Sequence, residues 1–245
     1  MKICVVGLGN MGKSISDLLK KSGFKVSGFD RNDMADKYLK NCDLFILAVK
    51  PQDFEDFCSS IKTNLNKKIA VSIMTGMSIN KISRGHKVKK VVRVMPNLPL
   101  KVGKAISGWK ASKNVTVKEK FFVKKILAVF GEQIEVNNEE KLNMITALSG
   151  SGPAYFYYLA EVLESKALDF GFNKKDAEKI AKNTLVGSAK LLESVNLSAK
   201  TLREKVTSKG GTTEAALKSL GKDNFPKIFK KALDAANNKA KELNK

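Results

Sequence analysis

The chain reads as a doubly wound, mostly parallel α/β domain followed by an all-α domain. Three observations predict this. Short apolar runs alternate with helix-spaced segments through the first 137 residues, a glycine-rich turn follows the first run directly, and from about Glu139 only helical spacing remains.

The first run, Lys2-Ile3-Cys4-Val5-Val6, is short, apolar and dense in β-branched residues, as expected of a strand buried on both faces. It leads straight into Gly7-Leu8-Gly9-Asn10-Met11-Gly12 and then a helical pattern over 14–19. This Gly-x-Gly-x-x-Gly has the flanks of a Rossmann dinucleotide site. Gly7 serves the tight turn, Gly9 the approach of a pyrophosphate, and Gly12 the close packing of helix on strand. The pyrophosphate would rest on the free N–H groups and positive end of the helix.

Gly23 stops that helix, and 24–29 reads as a second strand ending at Asp30-Arg31. An acidic residue about 20 positions beyond the glycines is where such a unit places its ribose ligand. Asp30 suits a 2′-hydroxyl and Arg31 a 2′-phosphate, so the pair allows NADH or NADPH. Between Asp33 and Lys40 there is room for only about two helical turns. A strand over 43–49 follows, so one regular strand of the nucleotide half is missing or reduced to a loop. Further strands are expected at 69–74 and 91–94, with helices at 54–61 and 79–82. Residues 102–108 and 132–136 finish the sheet around a helix at 118–130. The strand ends gather at 7–12, Asp30, 48–51, 73–76 and 95–97, the edge at which open α/β sheets bind ligands.

In the second half, Glu139 begins an amphipathic stretch that Leu148-Ser149-Gly150-Ser151-Gly152-Pro153 interrupts. Pro153 suits a first helical turn, and Asn173 suits an N-cap for a helix to about Glu193. Short helices near 199–206 and after Gly211 precede a last one at about 225–243. The expected division is therefore 1–137 and 138–245. The helices between Pro153 and Glu193 carry more apolar and aromatic positions (Tyr155, Phe156, Tyr158, Leu159, Leu163) than one thin layer buries, which predicts a homodimer or higher homo-oligomer.

Composition narrows the function classes. With 245 residues, 43% of them hydrophobic, the chain can build a sizeable core. Cys4, Cys42 and Cys58 are odd in number and lack metal spacing, which fits reduced thiols in a cytoplasmic protein. His86 is the single histidine and reads as a loop residue, so no metal site is expected. No apolar run is long enough for a membrane span. The net charge of +21 is spread along helical solvent positions without a basic block interleaved with aromatics, so no nucleic-acid partner is expected. Trp109 reads as a packing residue.

A second glycine-rich stretch, Ser208-Lys209-Gly210-Gly211-Thr212-Thr213-Glu214, stands at a helix start. It offers backbone N–H groups and hydroxyls at the positive dipole end, a seat for a small anion such as a carboxylate. Taken in order, 7–12, Ala48-Val49-Lys50-Pro51-Gln52, Arg93-Val94-Met95-Pro96-Asn97, 148–155 and 206–217 resemble the pyrroline-5-carboxylate reductases. The resemblance runs from Lys2 to about Asn238.

That resemblance implies an N-terminal Rossmann domain and an all-α C-terminal dimerisation domain. It also implies reduction of 1-pyrroline-5-carboxylate to L-proline by NADPH or NADH. The implied cofactor seat is Gly7, Leu8, Gly9, Asn10, Met11 and Gly12, with Ala48, Val49, Lys50 and Pro51, then Ile73, Met74 and Thr75. Met95, Pro96 and Asn97 would flank the nicotinamide. Ser208, Gly210, Gly211, Thr212 and Thr213 would seat the substrate, with Glu139 close by. In the family the substrate loop comes from the partner subunit. Several positions depart from the pattern: the shortened 33–42 stretch, Leu98 in place of Thr, Lys205 in place of Asn, and Lys209 in place of Pro.

The chemistry suits the residues. Hydride transfer needs donor and acceptor carbons held about 3–3.5 Å apart, so positioning supplies much of the rate. A protonated imine needs no strong general acid, and Thr213 is the residue expected to hydrogen-bond the ring nitrogen. Two other readings remain. One is a different small Rossmann reductase acting on an imine or hydroxy acid, and the other is a non-catalytic NAD(P)-binding regulator.

Overall fold

The computed structural model describes residues 1–30, 35–86 and 88–244. In chain order the elements are β1 (Lys2–Val6), α1 (Asn10–Lys21), β2 (Lys25–Phe29), α2 (Ala35–Lys40), β3 (Leu44–Leu47), α3 (Phe54–Ser60), β4 (Ile69–Ser72), α4 (Ile79–His86) and β5 (Lys90–Met95). Next come β6 (Ala105–Ala111), α5 (Val117–Ala128), β7 (Gly131–Glu135) and α6 (Glu140–Ile145). The remainder is helical: α7 (Gly152–Asp169), α8 (Lys174–Ser194), α9 (Ala199–Lys205), α10 (Thr212–Lys222) and α11 (Phe225–Leu243).

The seven strands form one sheet in the order β2-β1-β3-β4-β5-β6-β7. Every pair is parallel except β5 with β6. Only a single 3-10 turn, Leu98–Val102, joins those two strands, and a connection that short cannot carry a parallel crossover. Between β2 and β3 the described residues contain α2 and no strand, as the shortened stretch predicts, so β2 is a sheet edge.

Alternation along the strands divides the core. Ile3, Val5, Leu44 and Ile46 face Ile15 and Leu19 of α1 and Val123, Ile126 and Leu127 of α5. Cys4, Val6, Phe45 and Leu47 face Leu39 of α2, Phe54 of α3 and Ile82 of α4. Helices therefore cover both faces, and the strands read as continuous apolar runs for that reason. Trp109 is fully buried in the first cluster, a packing residue as expected. His86 closes α4 rather than lying in a loop, and that helix is longer than the expected 79–82.

The chain divides into two compact units, one of Met1–Ser151 with Ala235–Lys245 and one of Gly152–Asp234. The expected division at 137/138 falls earlier than this one. The physical reason is α6. Leu142 and Ala147 are buried, and a Cβ on Gly108 of β6 would meet side-chain atoms of Ile145 and Leu142, so α6 packs on the sheet. The end of α11 likewise belongs to the first unit, where the Asn244 amide donates to Asn143 Oδ1.

The second unit is helical. Asn173 caps α8 by accepting the Asp176 N–H at 3.0 Å. Buried positions in α7 and α8 are small (Gly152, Ala167, Ala177, Ala181), while Phe156, Tyr158 and Leu163 are exposed. An apolar surface of this kind marks an interaction face.

Candidate active site

The strand registers place the expected cofactor residues along one edge. Val6 is level with Phe29 and Leu47, Leu47 with Ser72, and Ser72 with Arg93, so the carboxyl ends of β1 to β5 are aligned. Backbone bonds continue the alignment beyond the strands: Gly7 donates to Phe29 O at 3.0 Å, Ala48 to Val6 O at 2.8 Å, and Ile73 to Leu47 O at 3.1 Å. The 7–12 turn, Asp30, Ala48-Val49 and Ile73 thus lie side by side.

The turn itself fits an anionic dinucleotide. A Cβ on Gly12 would stand 1.8 Å from Gly7 O, so glycine is what lets α1 start so close to β1. A Cβ on Gly9 would meet nothing within 4 Å, so this side of the turn faces open space. Gly9 is also the N-cap of α1 and provides no side-chain cap. The first-turn N–H groups therefore point outward with the helix dipole behind them, the arrangement that receives a phosphate.

Beside Gly7 opens a cavity of ≈ 620 Å³ lined by Val6, Phe29, Asp30, Val49 and Asp53 among others, a size suited to the nucleoside end of a cofactor. Asp36 also lines it, but its carboxylate is committed to structure. It accepts the N–H of Thr63 at 2.7 Å and of Lys62 at 3.0 Å. Hydrogen bonding from Thr63, foremost from its side chain, holds this carboxyl below the usual range. Arg31, the expected 2′-phosphate partner, lies outside the described residues.

At the far end of the edge, the 95–97 turn is clamped by the segment that follows β7. Asn97 is buried; its amide donates to Ser149 O at 3.1 Å, and its oxygen accepts the Ile106 N–H at 3.1 Å. The 146–150 stretch is a π-helical turn that Ser151 N closes onto Thr146 O at 2.8 Å. Such turns recur at functional sites. A Cβ on Gly150 would come 3.0 Å from Met95 Cε. Thr75 Oγ1 approaches Met95 Sδ at 4.0 Å, joining the ends of β4 and β5. Glu139 is engaged in the same region: its Oε1 accepts the Ile79 N–H at 2.9 Å and Arg93 Nη1 at 3.1 Å.

The second glycine loop lies in the helical unit. Gly210 has φ +77°, a left-handed conformation that favours glycine. A Cβ on Gly211 would stand 2.4 Å from Ser208 Oγ and 3.1 Å from Ser208 O, so a side chain here would force the Ser208 hydroxyl to move. Two of the expected anion donors are already used: Gly210 N–H donates to Glu214 Oε2 at 2.7 Å, and Gly211 N–H to Ser208 O at 3.0 Å. Thr212, Thr213 and Glu214 form the first turn of α10, where N–H groups have no partner within the helix. Thr213 is half-buried there.

Comparison with known proteins covers both loops. A model described as pyrroline-5-carboxylate reductase dimerisation matches residues 139–243. One described as the NAD binding domain of 6-phosphogluconate dehydrogenase matches 2–98. The pyrroline-5-carboxylate reductase of Staphylococcus haemolyticus is 37% identical over 86% of this chain and 78% of its own. The chain belongs to the pyrroline-5-carboxylate reductase family. Among solved structures, that of a pyrroline-5-carboxylate reductase from Coxiella burnetii superposes with a TM-score of 0.91 at 32% identity, covering 100% of this chain and 98% of that one. The pyrroline carboxylate reductase of Plasmodium falciparum, with NADP bound, gives 0.87 at 27% identity and the same coverage.

The dimerisation-domain match includes α7 with its exposed apolar residues and supports a homo-oligomer. No helix among the described residues is long and apolar enough to cross a membrane. Of the expected site residues, 7–12, Asp30, 48–51, 73–75 and 95–97 share the first unit's strand-end edge, and 208–213 form one loop and helix start in the second. Sequence reasoning assigned no task to Arg93, Ser149 or Glu214. For Arg93 a signal existed, a cation flanked on both sides by valines in the middle of a strand.

Proposed function

We propose that this chain is an NAD(P)H-dependent reductase that converts 1-pyrroline-5-carboxylate to L-proline, acting as a cytoplasmic homodimer or higher homo-oligomer. The observation that carries the reading is that a dinucleotide-fitting strand edge and a Gly-Gly-Thr-Thr helix start occur in one chain, in the family's order and over its full length. Three free cysteines suit the cytoplasmic setting.

In this reading the 7–12 turn and the start of α1 hold the pyrophosphate, and Asp30 takes the adenosine ribose. Residues 48–51 and 73–75 line the path to the nicotinamide, and 95–97 flank its ring. The bound cofactor supplies the hydride; the chain supplies orientation. The first-turn N–H groups of α10, with Ser208 and Thr212, seat the substrate carboxylate. The Thr213 hydroxyl orients the ring nitrogen. A protonated imine already carries the activating proton, so no strong acid is required; hydride addition to its carbon leaves a neutral secondary amine, which then takes one proton from water.

The test is oxidation of NADH and of NADPH by the purified protein with pyrroline-5-carboxylate. Turnover giving proline supports the reading. Cofactor binding without turnover would favour a regulatory role instead.

A further inference from the structure

Glu139 occupies a position that the functional reading leaves unexplained. Its Oε1 alone receives two donors, the Ile79 N–H at 2.9 Å and Arg93 Nη1 at 3.1 Å. Ile79 opens α4, immediately after the 73–78 turn, and its N–H is one of the helix's first-turn donors with no intrahelical partner. Arg93 lies in β5, two residues before Met95, with its side chain only 5% exposed. The two contacts are 60 and 46 residues away in sequence. One oxygen thus ties the turn after β4 to the end of β5. Those are the two strand ends that Thr75 and Met95 bring into contact.

We propose that Glu139 is a positioning residue for the nicotinamide end of the cofactor edge and does not touch the substrate. This rests on the functional reading above. Without the carboxylate, Arg93 is a buried charge lacking this partner and Ile79 loses its cap, so the 73–78 turn is released from β5. The cost falls on residues expected to hold the cofactor, so it is read in cofactor affinity.

The convergence of both donors on one oxygen makes the idea testable. A carboxamide oxygen has two lone pairs as well, so Glu139→Gln can accept both bonds while losing the charge. Glu139→Ala can accept neither. The measurements are NADH dissociation constants without substrate, by quenching or fluorescence titration of the full-length protein, and separate KM and kcat values. E139Q is expected to stay within about threefold of wild type in cofactor Kd and in kcat/KM. E139A is expected to raise the cofactor Kd by about tenfold or more, with the KM for the imine substrate changing less.

Three results would overturn the proposal. One is E139A with unchanged cofactor Kd and a raised substrate KM, which marks a substrate contact. Another is E139A with lower thermal stability alone, which marks a purely structural tie. The third is E139Q losing turnover while its cofactor Kd stays at the wild-type value, which marks a role for the charge. This last comparison decides the matter if E139A does not fold. Failure of the wild-type protein to reduce pyrroline-5-carboxylate would sink the functional reading instead, and the cofactor-binding arm would still test the tie.

Discussion

Glu214 Oε2 accepts the backbone N–H of Gly210 at 2.7 Å, so the third residue of α10 reaches back over the glycine loop that precedes it. Lys218 Nζ holds the same carboxylate from the other side at 3.2 Å. Lys209 precedes the glycines here, and the loop is tied through Glu214. Glu214→Ala is expected to raise the KM for the imine substrate by about 3- to 10-fold, with cofactor affinity unchanged. An unaltered KM would show that the loop holds its shape without the tie.

Thr213→Val tests the hydroxyl assigned to the ring nitrogen. Valine keeps the volume and β-branching, so the start of α10 is preserved. A fall of roughly 10- to 1000-fold in kcat/KM is expected, about 1.4–4 kcal/mol of transition-state stabilisation. Near wild-type kcat/KM would move the role to Ser208 or to water.

Asn97 is expected to matter for stability as well as for catalysis. Its amide bridges Ser149 O and Ile106 N from a buried position. Asn97→Ala leaves the Ile106 N–H without that acceptor, at a cost of about 1–3 kcal/mol. Denaturant unfolding of the variant measures it, and an unchanged midpoint would contradict the bridging role.

Cofactor choice is expected to turn on Asp30, which lines the cavity beside Gly7. An ionised carboxylate there accepts from a free 2′-hydroxyl and repels a 2′-phosphate. Asp30→Ala is expected to weaken NADH binding more than NADPH binding. Equal losses for both would place Asp30 away from the ribose.

The parts of this fold that were legible in the sequence are those whose causes are local. The 2–12 segment announces a strand, a glycine turn and a helix start within a few residues, and the registers of β1 to β5 then bring the other strand ends beside it. Asn173 with Asp176 likewise announces its own cap. That no strand stands between β2 and β3 among the described residues could be read from how few residues separate them. Glu139, by contrast, acts through Ile79 and Arg93, partners with no local signal, and resemblance alone suggested a substrate contact. The π turn at Thr146–Gly150 was visible only as an interruption, since Ser149 and Gly150 suit a loop equally well. The compact unit reaches beyond the expected division at 137/138 for a related reason. The helical spacing of α6 does not reveal that its apolar side meets Gly108 of the sheet.

The most direct test of the account is steady-state oxidation of NADH and NADPH by the purified full-length protein, with pyrroline-5-carboxylate as acceptor and proline measured as product. The account predicts saturable turnover with the imine, stoichiometric proline, and loss of most of that activity in Thr213→Val. Tight cofactor binding with no proline formed at any substrate concentration would contradict it.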